Sequence, residues 1–192
     1  MPFPVLDVSS APALARPLLE GARKKFGFVP NLLGVLASSP AALRAYLSVS
    51  DALADTRLTA PEQQIVAIAV SAENGCGYCV AAHSALAAMA KAPADAVQAA
   101  RSGEAATDTR LEALRRFASA VVETRGRPGI DEVSRFLAAG FDDGQILDVL
   151  TIVAMKTLSN YTNHLAETPL DEPFAAQRWE SAAPSFAARP VG

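Results

Sequence analysis

Thr59-Ala-Pro-Glu62-Gln-Gln-Ile65-Val-Ala-Ile-Ala-Val70-Ser-Ala-Glu73-Asn-Gly75-Cys76-Gly-Tyr-Cys79-Val-Ala-Ala-His83 decides how this chain folds. Thr59 and Glu62 have capping-box spacing, in which the hydroxyl and the carboxylate satisfy free backbone N–H groups at a helix start. The run Ile65–Val70 is apolar on nearly every side, so the helix it forms, ending near Ala72, is expected at the centre of the fold. Asn74-Gly75 then breaks it and sets up a second helix from Cys76 to about Ala90. At about 3.6 residues per turn, offsets of 3, 4 and 7 place Cys76, Cys79 and His83 along one face of that second helix.

Helical segments follow one another on both sides of this pair. Upstream, Ala11 to Phe26 reads as a helix stopped by Gly27 and Val29-Pro30, and Ser39-Pro40 opens another to about Ala54. Downstream, Lys91-Ala-Pro93 precedes a short helix ending near Arg101. Asp108 to Thr124 comes next, and then the loop Gly126-Arg-Pro-Gly129. Asp131 to Ala139 is closed by Gly140, and Asp142 to about Ala166 is the longest helix, with Gln145 completing a second capping box. No strand alternation and no repeat interrupts the series. The fold class is all-α, a compact multi-helix bundle in a single domain over residues 1–192. Trp179 and Phe174 read as anchors for a C-terminal segment lying on the bundle or a neighbouring subunit, and residues 182–192 as a loose tail.

Composition agrees. Hydrophobic residues make up 51% of the 192 and aromatics only 6%, so the apolar content is mainly Ala, Leu and Val, which favours close-packed helices. The net charge is −3 with no basic block, so neither a nucleic-acid surface nor an anionic-membrane patch is indicated. The start Met1-Pro-Phe-Pro-Val-Leu-Asp7 lacks the basic and apolar regions of a secretory signal, and the apolar run Ile65–Val70 is far too short to span a bilayer. A soluble cytoplasmic protein is expected. In that compartment a Cys-x-x-Cys pair is more often catalytic, redox-active or metal-binding than a structural staple.

Cys76 and Cys79 are the only cysteines, and His83 is one of two histidines. Cys76 is expected in the first turn of its helix, where unpaired N–H groups favour a thiolate, with Cys79 one turn deeper and more buried. His83 stands four residues on, able to take a proton from Cys79. This set suits peroxide chemistry: a thiolate attacks the O–O bond and becomes a sulfenic acid, and a neighbouring thiol condenses with it to a disulfide. Two other readings are open. The three residues can be ordinary core side chains, or Cys76, Cys79, His83 and the distant His164 can hold zinc, although structural zinc sites favour small loop-rich modules. Haem attachment is excluded, because Val80 stands where a histidine is required.

The segment Leu58 to Ala90, with Cys76-Gly-Tyr-Cys79-Val-Ala-Ala-His83 at its centre, resembles the alkylhydroperoxidase D-like core of the carboxymuconolactone decarboxylase superfamily. Val29-Pro30-Asn31 and Ser39-Pro40 upstream are similar to it less specifically. Asn160-Tyr-Thr-Asn-His-Leu-Ala-Glu-Thr-Pro-Leu-Asp171 looks like the ending of its peroxidase-related members. The resemblance implies an all-α homo-oligomer that reduces hydroperoxides through a disulfide cycle, without a cofactor or metal. It implies that Cys79 reacts with peroxide and that Cys76, the more exposed, forms the disulfide and is re-reduced by an external dithiol or protein reductant. Decarboxylating members lack the cysteine pair, so decarboxylation is not implied.

One position departs from the family. Its proton-relay glutamate falls 12 residues before the first cysteine, and 76 − 12 = 64 is Gln64. An amide orients a water but shuttles no proton at neutral pH. Glu73 is the better candidate to replace the acid, and Glu62 is already explained as a cap. A dithiol oxidoreductase or redox sensor with weak peroxidase activity is therefore the alternative, with a non-catalytic zinc- or partner-binding oligomer behind it. Tyr78 reads as a packing aromatic, His164 as a capping or interface residue, and Ser84 and Asn74 as helix-end polar groups. Oligomerisation is expected from the apolar runs Ile65–Val70 and Ile146–Val153.

Overall fold

The computed structural model describes residues 3–181. Among these residues nine α-helices run in the order α1 Arg16–Phe26, α2 Asn31–Leu36, α3 Pro40–Ala52, α4 Ala60–Glu73, α5 Gly77–Met89, α6 Ala94–Ser102, α7 Thr109–Glu123, α8 Ile130–Ala138 and α9 Asp143–Ala166. Short 3-10 turns follow α3 at Leu53–Asp55 and α9 at Glu172–Gln177, and no strand occurs among the described residues. The all-α expectation holds. No helix among these residues is long and apolar enough to cross a membrane.

The helix ends follow the local chemistry. Thr59 accepts a hydrogen bond from the Glu62 backbone N–H while the Glu62 carboxylate accepts from that of Thr59, and Asp142 with Gln145 repeats the arrangement at α9. Arg57 clamps the exposed Asp142 carboxylate with its two terminal guanidinium nitrogens, at 2.6 and 2.5 Å. Three expectations need correction. The first helix begins at Arg16 rather than Ala11, because Pro12 anchors a separate turn whose carbonyl accepts from Ala15 and Arg16. A short helix, α2, follows Pro30 where only a break is expected, since proline has no N–H to lose at a helix start. Cys76 is the N-cap of α5, at φ −90° and ψ 91°, one residue before the first turn. Residues 182–192, read as a loose tail, lie outside the described residues.

Two apolar cores share the bundle. The larger surrounds α4: Ile65, Val66, Ile68 and Val70 have no exposure and meet Leu114 and Phe117 of α7, Phe136 of α8, and Val149 and Ile152 of α9. Phe136 lies between two rings, 4.4 Å from Phe117 and stacked 4.4 Å from Phe141. The run Ile65–Val70 is thus covered within the chain itself and offers nothing to a second subunit. On α9, by contrast, Leu147, Leu150, Tyr161 and Leu165 are exposed, and their spacing sets them in one stripe.

The smaller core joins Leu19 and Ala22 of α1, Leu32, Leu33 and Leu36 of α2, Leu43 of α3, and Cys76, Tyr78, Cys79 and Ala82 at the start of α5. Phe174 packs against it, edge-on to Tyr78 at 6.4 Å and to Phe28 at 5.9 Å. The Trp179 indole N–H donates to the Arg101 carbonyl at 3.0 Å, and the Trp179 carbonyl passes so close to Gly77 that a Cβ there would meet it at 2.8 Å. Phe174 and Trp179 are therefore anchors, as expected, and they hold the C-terminal segment across α5 of the same chain.

Candidate functional site

Both cysteines are free and 1% exposed. Burial of Cys76 departs from the expectation that it is the more accessible sulfur, because the N-cap position turns its side chain into the smaller core. The Asn163 side-chain amide of α9 donates to both sulfurs, at 3.2 Å to Cys79 and 3.7 Å to Cys76, and the Ser159 hydroxyl lies 3.8 Å from the Cys79 sulfur. A hydrogen bond from Cys79 favours the Cys76 thiolate against the cost of burial, and with help from Lys156 and Asn163 brings its pKa from 9.0 to about 6. Burial, followed by the neighbouring Cys76, pushes the Cys79 thiol up. The pair thus holds one proton between two sulfurs.

Cys79 also faces a cavity of about 720 Å³ between α1, α3, α5 and α9. Leu18, Ala22, Leu47, Ala82, Leu86 and Met155 give it mostly apolar walls, and the exposed Lys25, Arg44 and Asp51 stand at its rim. His83 lies on the same wall as Cys79, with Tyr46 and Lys156 beside it. Cys76 does not line the cavity. Access therefore separates the two sulfurs more clearly than burial does.

His83 is held from both sides. Its Nδ1 lies 2.8 Å from the Gln64 side-chain oxygen and its Nε2 lies 2.7 Å from Lys156 Nζ. Burial first, and then the lysine charge, holds its pKa well below 6.5, so the ring is neutral. An ammonium only donates, so Nε2 accepts from Lys156 and the ring proton sits on Nδ1, donated to Gln64. Lys156 has no exposure at all. Burial works against its charge, but the facing Cys79, Tyr46 and Cys76 groups outweigh that cost and raise its pKa. Burial also keeps Tyr46 protonated, since it raises the phenol more than Lys156 lowers it.

The sequence-selected residues separate here. Cys76, Cys79, His83 and Gln64 come together. Glu73 does not: it points away along α4 and hydrogen-bonds Ser119, with Glu123 and Arg115 of α7 nearby, and burial raises its pKa. The last residue of α4 faces α7 rather than α5, so Glu73 is corrected to an exposed helix-end carboxylate outside the site. Glu62 is an ionic cap paired with Arg110 at 3.0 Å. His164 is exposed, away from the buried cysteines, and among the described residues no group of three or more His, Cys, Asp or Glu side chains is placed to hold a metal. Tyr78 donates to Asp171 at 2.5 Å and accepts from the Leu32 N–H at 3.3 Å, so its hydroxyl braces the second core while the residue also lines the cavity. Asn74 donates to Asn160 at 2.9 Å, and Ser84 accepts from Arg101 at 2.7 Å.

Lys156, Ser159 and Asn163 are the residues that sequence reasoning missed. A signal existed: they recur at intervals of three and four on the face of α9 that also buries Ile152. Polar residues on an apolar stripe are the exception that a site explains.

Residues 40–124 match the Carboxymuconolactone decarboxylase family. An uncharacterized peroxidase-related protein from Ralstonia eutropha JMP134, solved as an alkylhydroperoxidase AhpD core, is 30% identical, with 90% of this chain and 93% of that one covered at a TM-score of 0.78. A second uncharacterized peroxidase-related protein, from Silicibacter sp. TM1040, is 21% identical over 91% of this chain and 92% of its own, with a TM-score of 0.74. The debrominase Bmp8 has the same fold at 19% identity, 90% and 93% coverage and a TM-score of 0.74. Comparison with curated proteins finds no match. At 30% identity across nearly the full length of the Ralstonia protein, and with the paired cysteines and histidine gathered on one helix, the chain belongs to the alkylhydroperoxidase AhpD-like group of the carboxymuconolactone decarboxylase superfamily.

Proposed function

We propose that the chain is a thiol-dependent peroxidase that reduces hydroperoxides through a Cys76/Cys79 dithiol–disulfide cycle. The observation that carries this reading is that Cys79, and not Cys76, lines the 720 Å³ cavity, while one side chain, Asn163, spans both sulfurs. As Cys79 attacks, its proton passes to Cys76. The Cys79 sulfur takes the distal peroxide oxygen, the O–O bond breaks, and the leaving oxygen is protonated at the cavity wall. Cys76 then attacks the sulfenic acid on Cys79; an S–S bond forms, and the hydroxide leaves as water with the Cys76 proton. An external dithiol returns two electrons and two protons. In a reducing cytoplasm the resting pair is reduced, with one proton shared between the two sulfurs. Self-association through the exposed α9 stripe of Leu147, Leu150, Tyr161 and Leu165 belongs to the same reading, with a mass above that of one chain in light scattering as its check.

The test is a thiol count before and after one equivalent of an organic hydroperoxide. Two thiols disappear in the wild type and return with a dithiol. Cys79→Ser loses turnover, and Cys76→Ser stops at a trappable sulfenic acid. Full dithiol-dependent turnover by Cys79→Ser refutes the assignment. A dithiol–disulfide oxidoreductase, favoured by Gln64 in place of an acid, is the second reading. A protein disulfide must reach a sulfur in line, and 1% exposure of both cysteines weighs against it.

A further inference from the structure

The groups facing the His83 ring are an amide, Gln64, and an ammonium, Lys156, where an acid is expected. A lysine without solvent exposure in the middle of a 24-residue helix is costly unless its charge has a use. Here Nζ stands on the cavity wall beside the one sulfur that faces the cavity, and neutral His83 fixes its direction. Gln64 in turn holds His83 as the acceptor for that lysine.

Resting on the peroxidase reading, we propose that Lys156 is a catalytic residue: its ammonium holds the Cys79 thiolate and protonates the oxygen that leaves when a hydroperoxide is cleaved there. The S–O bond forms with the sulfur electron pair, and the electrons of the O–O bond stay on the departing alkoxide. That alkoxide takes a proton from Nζ and leaves as the alcohol. Lys156 becomes a neutral amine and regains its proton when the external dithiol delivers two electrons and two protons. His83 positions Nζ and carries no proton to substrate. Gln64→Glu therefore impairs the site: a carboxylate on Nδ1 favours the imidazolium, which removes the acceptor at Nε2 and sets two cations face to face.

The test compares wild type, Lys156→Met and Lys156→Gln as full chains. Single-turnover disulfide formation is followed with an alkyl hydroperoxide, whose alkoxide needs a proton, and with a peracid, whose carboxylate does not. Thiolate absorbance is titrated against pH in parallel. Loss of the ammonium slows the alkyl hydroperoxide by on the order of a hundredfold and the peracid far less, and it raises the thiolate midpoint by about one pH unit. Equal rates in wild type and either folded variant, equal slowing of both oxidants, or a gain from Gln64→Glu overturns the role of Lys156 while the peroxidase reading stands. A wild type inert to both oxidants removes that reading and the proton step with it, whereas an unmoved thiolate midpoint removes only the lysine.

Discussion

Asp171→Asn tests what fastens the C-terminal segment over the dithiol. The Asp171 carboxylate, 7% exposed, receives the Tyr78 hydroxyl at 2.5 Å and the Asn31 backbone N–H at 3.1 and 3.2 Å, joining the segment after α9 to α5 and to the start of α2. Asparagine has nearly the same shape, and its one acceptor oxygen in the Oδ2 position still meets both donors, so what is lost is the charge and the second bond to Asn31. Losing a charge-assisted bond costs about 1.5–3 kcal/mol. The expected cost is about 2 kcal/mol, or a fall in Tm on the order of 5 °C for a chain of this size. Tyr78→Phe removes the hydroxyl and leaves the carboxylate its bond to Asn31, at a cost of about 1–2 kcal/mol. Urea denaturation of both single variants and the double variant closes the cycle, with an expected coupling of about 1 kcal/mol. Alkylation of Cys76 gives a second readout, since a loosened segment speeds it. A coupling of zero within error, with alkylation unchanged, refutes the fastening.

Two further expectations follow from the same region. Because the Cys76 pKa falls from 9.0 to about 6 on folding, its thiolate contributes stability that is fully present above about pH 9 and is lost as the pH falls through about 6. His83, held neutral by burial, adds to the loss below 6.5. Melting curves between pH 9 and pH 6 should therefore show declining stability, and Cys76→Ser should flatten the decline; a slope unchanged in that variant places the titration elsewhere. Gly77→Ala puts a methyl group 2.8 Å from the Trp179 carbonyl, so the segment must shift and the indole bond to Arg101 weakens. A red-shifted fluorescence of the single tryptophan and a loss of about 1–2 kcal/mol are expected, and an unchanged spectrum would show that the segment tolerates the methyl group without moving.

Much of the fold was legible because its signals are local. Thr59 with Glu62, Ser39 with Pro40 and Asp142 with Gln145 mark helix starts through contacts within four residues. The Asn31–Leu36 helix was not legible, since a single turn and a half has too little periodicity to announce itself. At the site, Cys76, Cys79 and His83 were readable because one helix carries all three. Lys156 and Asn163 come from a helix more than seventy positions away, and only packing decides which of its faces meets α5. Glu73 failed for the same reason: adjacency along the chain says nothing about which neighbouring helix a residue at a helix end will face.

The cysteine pair sits in the smaller of two cores, and the cavity beside it is walled by α1 and α3, which contribute nothing to the larger one. What the cavity admits can therefore drift through exchanges at Leu18, Ala22 or Leu47 while the scaffold around α4 stays untouched. Such a division of labour lets a lineage retune what enters the chamber without renegotiating whether the chain folds.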